Sequence, residues 1–199
     1  TFGYISRTGI MAQSAPLDTV GTYARTVEDI ALFTDAISAF DPRDGDMTSS
    51  PKPSLLGELS SELDRPPRLA FVISPAGAVA EPEAIAAFEH FAANFGARAE
   101  VVVTKLPGDF DEALRLQRIL QYSDIAKNFG PIADANPTQV TDKLKETIAE
   151  GRTFSTADIA AARAERDPLY DELRPILVHY DAILTPAAPG PAPNGLSAT

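Results

Sequence analysis

Leu69-Ala-Phe-Val-Ile73, then Pro82 to Gly96, then Glu100-Val-Val-Val-Thr104 are the pieces from which the fold is read. The first is a short apolar run bounded by Pro67 and Pro75, the pattern of a buried strand. The second has proline in its first turn and glycine just past its end, as helices prefer, and Ile85, Phe88, Phe91, Ala92 and Phe95 line one face. The third is a run of β-branched residues that reads as another strand. Strand, helix and strand at this spacing predict a βαβ unit with parallel strands and a right-handed crossover, so the chain is assigned to the α/β class.

Downstream, Asp109 with Glu112 predicts a capping box opening a helix to about Asn128. Thr138 to Glu150 predicts a shorter helix closed by Gly151. Ser155 with Asp158 caps a long one reaching about Tyr180, which Pro168 and Pro175 are expected to kink or break. Asp181-Ala-Ile-Leu-Thr185 is the last strand candidate. Behind it Pro186, Pro189, Pro191 and Pro193 predict an extended tail. Ligands in open α/β sheets bind beyond the carboxyl ends of strands, so Thr185 to Pro193 is the stretch that position alone marks as a pocket wall.

Upstream, the segment Asp18 to Asp29 predicts a tight turn at Thr19-Val20-Gly21, an Asp18–Arg25 ion pair across it, and a helix capped by Thr26. Ile30, Phe33 and Ile37 carry that helix to Phe40. Asp41 to Pro53, with its acids and prolines, is expected to be a mobile surface loop.

The 199 residues suffice for one substantial core. The net charge of −11 opposes nucleic-acid backbones and anionic membranes alike, so neither is expected as a partner. With no cysteine, disulfides, thiolate metal sites and thiol nucleophiles are excluded. No apolar run is long enough to span a bilayer, and the first residues carry no signal-peptide pattern, which points to the cytoplasm. Thr1-Phe-Gly-Tyr-Ile-Ser-Arg7 reads as the middle of a structured segment. The expectation is one domain over 1–199, the C-terminal-side fragment of something larger.

No complete catalytic set emerges. The chain has no Gly-x-Ser-x-Gly elbow. Ser49-Ser-Pro-Lys52 formally matches Ser-x-x-Lys, but Pro51 and Pro53 oppose the helix that would bring lysine to serine. His90 reads as a helix-face residue, and His179 as a cation at a helix end. Asp44 and Asp46 read as solvated acids, since Gly45 and the missing twelfth-position Glu spoil a calcium loop. No metal ligand and no cofactor is assigned.

Thr1-Phe-Gly-Tyr-Ile-Ser-Arg-Thr-Gly-Ile10, Ser14-Ala-Pro-Leu-Asp-Thr-Val-Gly21 and Ala24-Arg-Thr-Val-Glu-Asp29 resemble the segment that follows the nucleophile in the amidase signature family. Pro82 to Val103 resembles that family's strand-helix-strand insertion. Tyr122 to Pro131 resembles its helix-to-loop passage beside the pocket. Tyr180-Asp-Ala-Ile-Leu-Thr-Pro-Ala-Ala-Pro189 resembles its strand into a proline-rich pocket loop. One departure stands out: the family has proline after the glycine matched by Gly21, and this chain has Thr22.

The resemblance implies a partial α/β/α layered amidase-signature fold with a mixed central sheet. It implies hydrolysis of carbon–nitrogen amide bonds without a cofactor, by a serine, a second serine in a cis peptide and a lysine base, all upstream of Thr1. A lysine acts as base only where its surroundings lower its pKa, and preorganised amides supply much of the rate. No catalytic residue transfers to this chain, which is expected to be inactive alone. Tyr122, Asp124, Thr185, Pro186 and Pro189 are carried over as substrate-binding residues, with Asp18, Gly21 and Arg25 as structural support. The implied partners are a small amide substrate and a second copy or the upstream portion of the same protein. Two alternatives are a non-catalytic scaffold derived from the fold and a protein resembling the A subunit of a tRNA-dependent amidotransferase.

Overall fold

The computed structural model describes residues 2–192, 194 and 195, with the side chains of Ala76, Ala78 and Asp109 left out. The chain divides into two compact units, Thr1–Leu63 and Asp64–Thr199.

The first unit has no strand among its described residues. Its two helices are α1 (Val27–Ile37) and α2 (Leu55–Glu58), packed together. Thr26 caps α1 as expected, its hydroxyl accepting from Asp29 N at 3.1 Å. Asp35 of α1 in turn caps α2, its carboxylate accepting from Leu55 N at 2.9 Å, Leu56 N at 3.1 Å and Ser54 Oγ at 2.9 Å. Those amides hold the Asp35 carboxyl below its ordinary range. The helix stops at Ile37 rather than Phe40, where Lys52 Nζ takes the carbonyl of Ser38 at 2.6 Å. Its buried face is Ala31 and Thr34, while Phe33, counted on the apolar face by spacing, is 54% exposed. Small residues let this helix approach closely, and the buried Thr34 hydroxyl is paired with Thr22 at 2.8 Å.

The second unit contains the predicted α/β element. Strands β1 (Arg68–Phe71), β2 (Glu100–Val103) and β3 (Ala182–Leu184) form a sheet in the order β2-β1-β3. Both pairings are parallel, so the mixed sheet expected from the resemblance does not occur among these strands. Side chains alternate between faces of a strand, and the central β1 uses both. Ala70 and Val72 face Ile176 in one core cluster, and Phe71 stacks on Phe88 at 5.5 Å. Ile176 lies in α6 (Thr156–His179) and Phe88 in α3 (Pro82–Ala93), so a helix covers each face. Arg65 grips the Asp181 carboxylate with two N–H groups at 2.7 and 3.0 Å, and Arg68 N donates to the same carboxylate at 2.7 Å, tying the starts of β1 and β3 together.

The remaining helices are α4 (Ala113–Ala135) and α5 (Asp142–Gly151). The long helix α4 packs on both α5 and α6. A 3₁₀ turn over Gly108–Glu112 precedes α4, and the Asp109 side chain of the expected capping box lies outside the described residues. The helix does not end near Asn128 but passes through Pro131 to Ala135, replacing the expected helix-to-loop passage. Likewise α6 is continuous through Pro168 and Pro175. All three prolines are exposed, so the carbonyls they leave without a helix donor lie toward water. The start of α6 carries the predicted capping box: Ser155 Oγ accepts from Asp158 N at 3.1 Å, and Asp158 accepts from Ser155 N at 2.8 Å. Helix α5 begins at Asp142 rather than Thr138, capped by Thr141.

Gly151 governs how α4 and α5 meet. A Cβ there would strike the carbonyl of Tyr122 and lie 2.9 Å from the Ala126 methyl, so only glycine permits this approach. Ile125, Ala126, Ala133 and Ile148 form the core between the helices, and Arg118–Glu150 and Arg152–Asp134 ion pairs flank it. The described part of the proline-rich tail is neither helix nor strand, as expected, and Pro193 lies outside the described residues.

Candidate functional site

The densest polar constellation centres on Arg7, in the first unit. Its Nε and Nη2 grip the Asp44 carboxylate at 3.2 and 2.9 Å, and Nη2 also pairs with Asp46. Nη1 donates to the carbonyls of Ala15 at 2.6 Å and Asp18 at 3.2 Å. Every N–H of the guanidinium is thereby engaged. Asp44 is only 8% exposed and also accepts from Arg7 N at 2.8 Å and Asp46 N at 3.2 Å. Hydrogen bonding to Arg7 holds the Asp44 carboxyl far below the carboxylate range, and Asp44 raises the Arg7 guanidinium further above its usual value. Positive φ at Gly3 lets the chain approach the Asp46 carbonyl, where a Cβ would collide. The expected mobile, solvated loop is therefore a pinned one, since Asp44 and Met47 are both buried.

A cavity of about 430 Å³ borders this cluster, lined among others by Arg7, Met11, Asp18, Thr19 and Asp46. It offers charge and shape, and its lining holds no serine, histidine or lysine. A smaller cavity of about 290 Å³ is lined by Tyr4, Ile5, Val20, Gly21, Thr22, Thr34 and Leu55. Lys52 does not serve a serine: its Nζ donates to the carbonyls of Tyr4 and Ser38 and lies 4.7 Å from the Tyr4 ring centroid.

The support residues sit differently from expectation. The turn falls at Ser14–Asp18, not at Thr19–Gly21: Leu17 N and Asp18 N both donate to Ser14 O, at 2.9 and 2.8 Å. Asp18 closes it by accepting from Gln13 N at 2.9 Å and Ser14 N at 3.1 Å. Gly21 has no positive φ, and its nearest neighbour leaves room for a Cβ. Arg25 is exposed and forms no ion pair among the described residues, so the Asp18–Arg25 brace is not formed. Asp18 is engaged locally instead, by the backbone amides of Gln13 and Ser14. The arginine that binds this segment is Arg7, which sequence reasoning missed. Its acidic partners lie 37 and 39 residues away, and the doublet Asp44/Asp46 was the sole local sign of it.

The five expected pocket residues fall into two groups in the second unit. Tyr122 and Asp124 are half-buried on α4, with the Arg118 guanidinium 5.0 Å from the Tyr122 ring centroid. Thr185, Pro186 and Pro189 follow β3, whose Leu184 carbonyl accepts from Val72 N at 2.9 Å. The Pro189 carbonyl accepts from Glu81 N at 2.8 Å, which ties this segment to the start of α3. Gly190 lies against the Glu81 side chain, where a Cβ would come within 2.8 Å of Cδ. Two further cavities occupy the second unit, one by Phe91 and Phe95 and one between α4 and α5. None of these four cavities is lined by any of the five residues. His90 and His179 are exposed. Among the described residues no group of three or more acids or histidines is placed to hold a metal ion, and no helix is long and apolar enough to cross a membrane.

A family model described as Amidase matches residues 1–197. Among curated proteins the chain is similar to the A subunit of glutamyl-tRNA(Gln) amidotransferase from Lysinibacillus sphaericus, 28% identical over 221 aligned residues. That alignment takes in 96% of this chain and 44% of the relative. Among solved structures it is similar to a chain of the vestigial protein complex that reveals the evolutionary origins of an s-triazine catabolic enzyme. There the TM-score is 0.83 at 24% identity, over 97% of this chain and 41% of that one, a likeness of fold alone. Against the A subunit of glutamyl-tRNA(Gln) amidotransferase from Thermotoga maritima the TM-score is 0.67 at 25% identity, covering 96% of this chain and 41% of that one. The chain thus spans under half the length of each of these proteins.

Proposed function

This chain belongs to the amidase family, and from that premise we propose that it is the downstream part of an amidase-signature hydrolase acting on carbon–nitrogen bonds of amides. The observation that carries this reading is the family match, which runs through both compact units from residue 1 to 197. The nucleophilic serine, its cis-peptide serine partner and the lysine base belong to the portion of the protein upstream of Thr1. This chain contributes pocket wall and support, and its partner is that upstream portion. Tyr122 and Asp124 on α4, with Thr185, Pro186 and Pro189 after β3, are the residues proposed to meet a small amide substrate. The placement of the last three beyond the carboxyl end of a parallel strand supports that role. Asp18, with its turn at Ser14–Asp18, supports the segment that follows the nucleophile, and the proposed location is the cytoplasm. A second reading, the A subunit of an amidotransferase that requires partner chains, is favoured by the named function of the curated relative.

The test is made on the longer protein. Expected is hydrolysis of a simple aryl amide, abolished by a serine-directed fluorophosphonate, with the modified serine mapped upstream of Thr1. Activity appearing only with glutamyl-tRNA(Gln) and added partner chains selects the second reading. Absence of labelling and of both activities favours a non-catalytic scaffold and overturns the proposal.

A further inference from the structure

We propose that an apolar stripe on α1 is the docking surface for the portion of the protein that precedes Thr1, and that this portion meets it with apolar and basic side chains. The surface presupposes the longer amidase-family protein proposed above. Helix α1 is turned the wrong way round for a helix that faces water. It buries Ala31 and Thr34, with Ser38 at its end, at the spacing i, i+3 and i+7. At the same spacing Ile30 and Ile37 are half-buried and Phe33 between them is 54% exposed. Phe40, just past the helix, is 48% exposed. A helix with one face on a core shows charged and polar residues on its others, whereas α1 hides a hydroxyl and shows a phenylalanine ring. Apolar anchors at i, i+3 and i+7 are what a groove or a second helix takes hold of.

Three observations select the occupant. The polypeptide before Tyr4 arrives at the Ile37 end of the stripe, because the one ammonium of Lys52 takes the carbonyls of both Tyr4 and Ser38 and so holds them side by side. From there the 11 residues of α1 extend only about 16 Å, a span that an extended segment of about five residues covers. Charge speaks against a second copy of this chain. Residues 1–63 hold nine acidic and four basic side chains, and Asp29 is exposed beside the stripe, so two such surfaces repel one another. A partner with lysine or arginine next to its apolar residues meets the same surface favourably. The relatives have chain to spare for this: the present sequence aligns with 44% of one and 41% of another.

The test uses the longer protein with the photo-crosslinking residue p-benzoylphenylalanine in place of Phe33. Irradiation should join position 33 to a peptide upstream of Thr1 in the same chain, identified by mass spectrometry of the digest. The same group in place of Glu28, which the helical repeat puts on the far side of α1, should give no such product. Hydroxyl-radical footprinting of the unsubstituted protein supplies a second measurement that no substitution can disturb. A covered Phe33 should be oxidised about tenfold less in the native than in the unfolded protein, where 54% exposure alone predicts about twofold. Crosslinking to a second copy, to another part of residues 1–199 or equally from both positions overturns the proposal, as does only twofold protection of Phe33. Fluorophosphonate labelling reads the amidase chemistry separately: a labelled protein without the upstream crosslink defeats this docking surface alone. A native mass of 21.2 kDa defeats the longer-protein reading with it.

Discussion

The two units keep different things out of water. Among the described residues of 1–63 the buried apolar ones are Ile5, Ala31 and Met47, and beside them lie four buried polar ones: Ser14, Thr34, Ser38 and Asp44. In residues 64–199 the buried residues among those described are all apolar or glycine, from Ala70, Phe71 and Val72 on the sheet to Leu116 and Leu120 in α4. The second unit draws its stability from non-directional burial, which tolerates some exchange of similar side chains. The first depends on directional bonds, where one lost partner leaves another polar group buried and unpaired. Arg7 makes the contrast plain: one guanidinium joins two distant stretches of the unit, Ala15–Asp18 and Asp44–Asp46.

The largest expected effect sharpens the apolar side of this comparison. Leu116 is 2% exposed, so Leu116→Ala should cost about 2–5 kcal/mol, read from the shift in urea midpoint. Amide hydrogen exchange should accelerate in α4 to α6 far more than in α1, and equal acceleration in both would break the comparison. Gly151→Ala comes next, at about 1–3 kcal/mol, because the new methyl group must part α4 from α5. The acid limb tests the polar side. The Asp44 carboxyl is held low by Arg7, so its contribution is complete above about pH 4 and is lost as the pH falls through the depressed folded value. Asp44→Asn should lower stability at neutral pH and flatten the acid limb in a pH series of thermal melts. An unchanged acid limb would show that Arg7–Asp44 does not couple to folding. Smallest is Ser155→Ala, which removes the cap of α6 and should cost about 1 kcal/mol in the same urea assay.

The elements legible in the sequence were those specified within a few residues. Thr26 before Asp29, Ser155 before Asp158, and Pro82 with Gly96 each marked a helix end that the structure keeps. Leu69 to Phe71 and Glu100 to Val103 paired in parallel as their spacing required. What misled was local chemistry overruled by surroundings. Pro131, Pro168 and Pro175 carry the signal to stop a helix, yet each sits on an exposed face where water can serve the freed carbonyl. The turn glycine at Gly21 proved replaceable by its geometry, while Gly151, read only as a helix end, holds the closest approach of two helices. For the candidate site, the motifs identified a family and marked the stretch after β3, but no side-chain pairing around Arg7.

By itself the sequence determined the parallel strand-helix-strand element, the main helix caps and the membership of the amidase family, because each is written in short-range patterns or in an ordered series of motifs. Tertiary structure alone decided that Arg7 rather than Arg25 organises the first unit, that Asp44 is buried, and that Tyr4 keeps a buried hydroxyl without a hydrogen-bond partner among the described residues. The physical reason is distance along the chain. A cap or a turn is closed within one helical turn, whereas an ion pair across 37 residues exists only once the backbone between its ends has found its path.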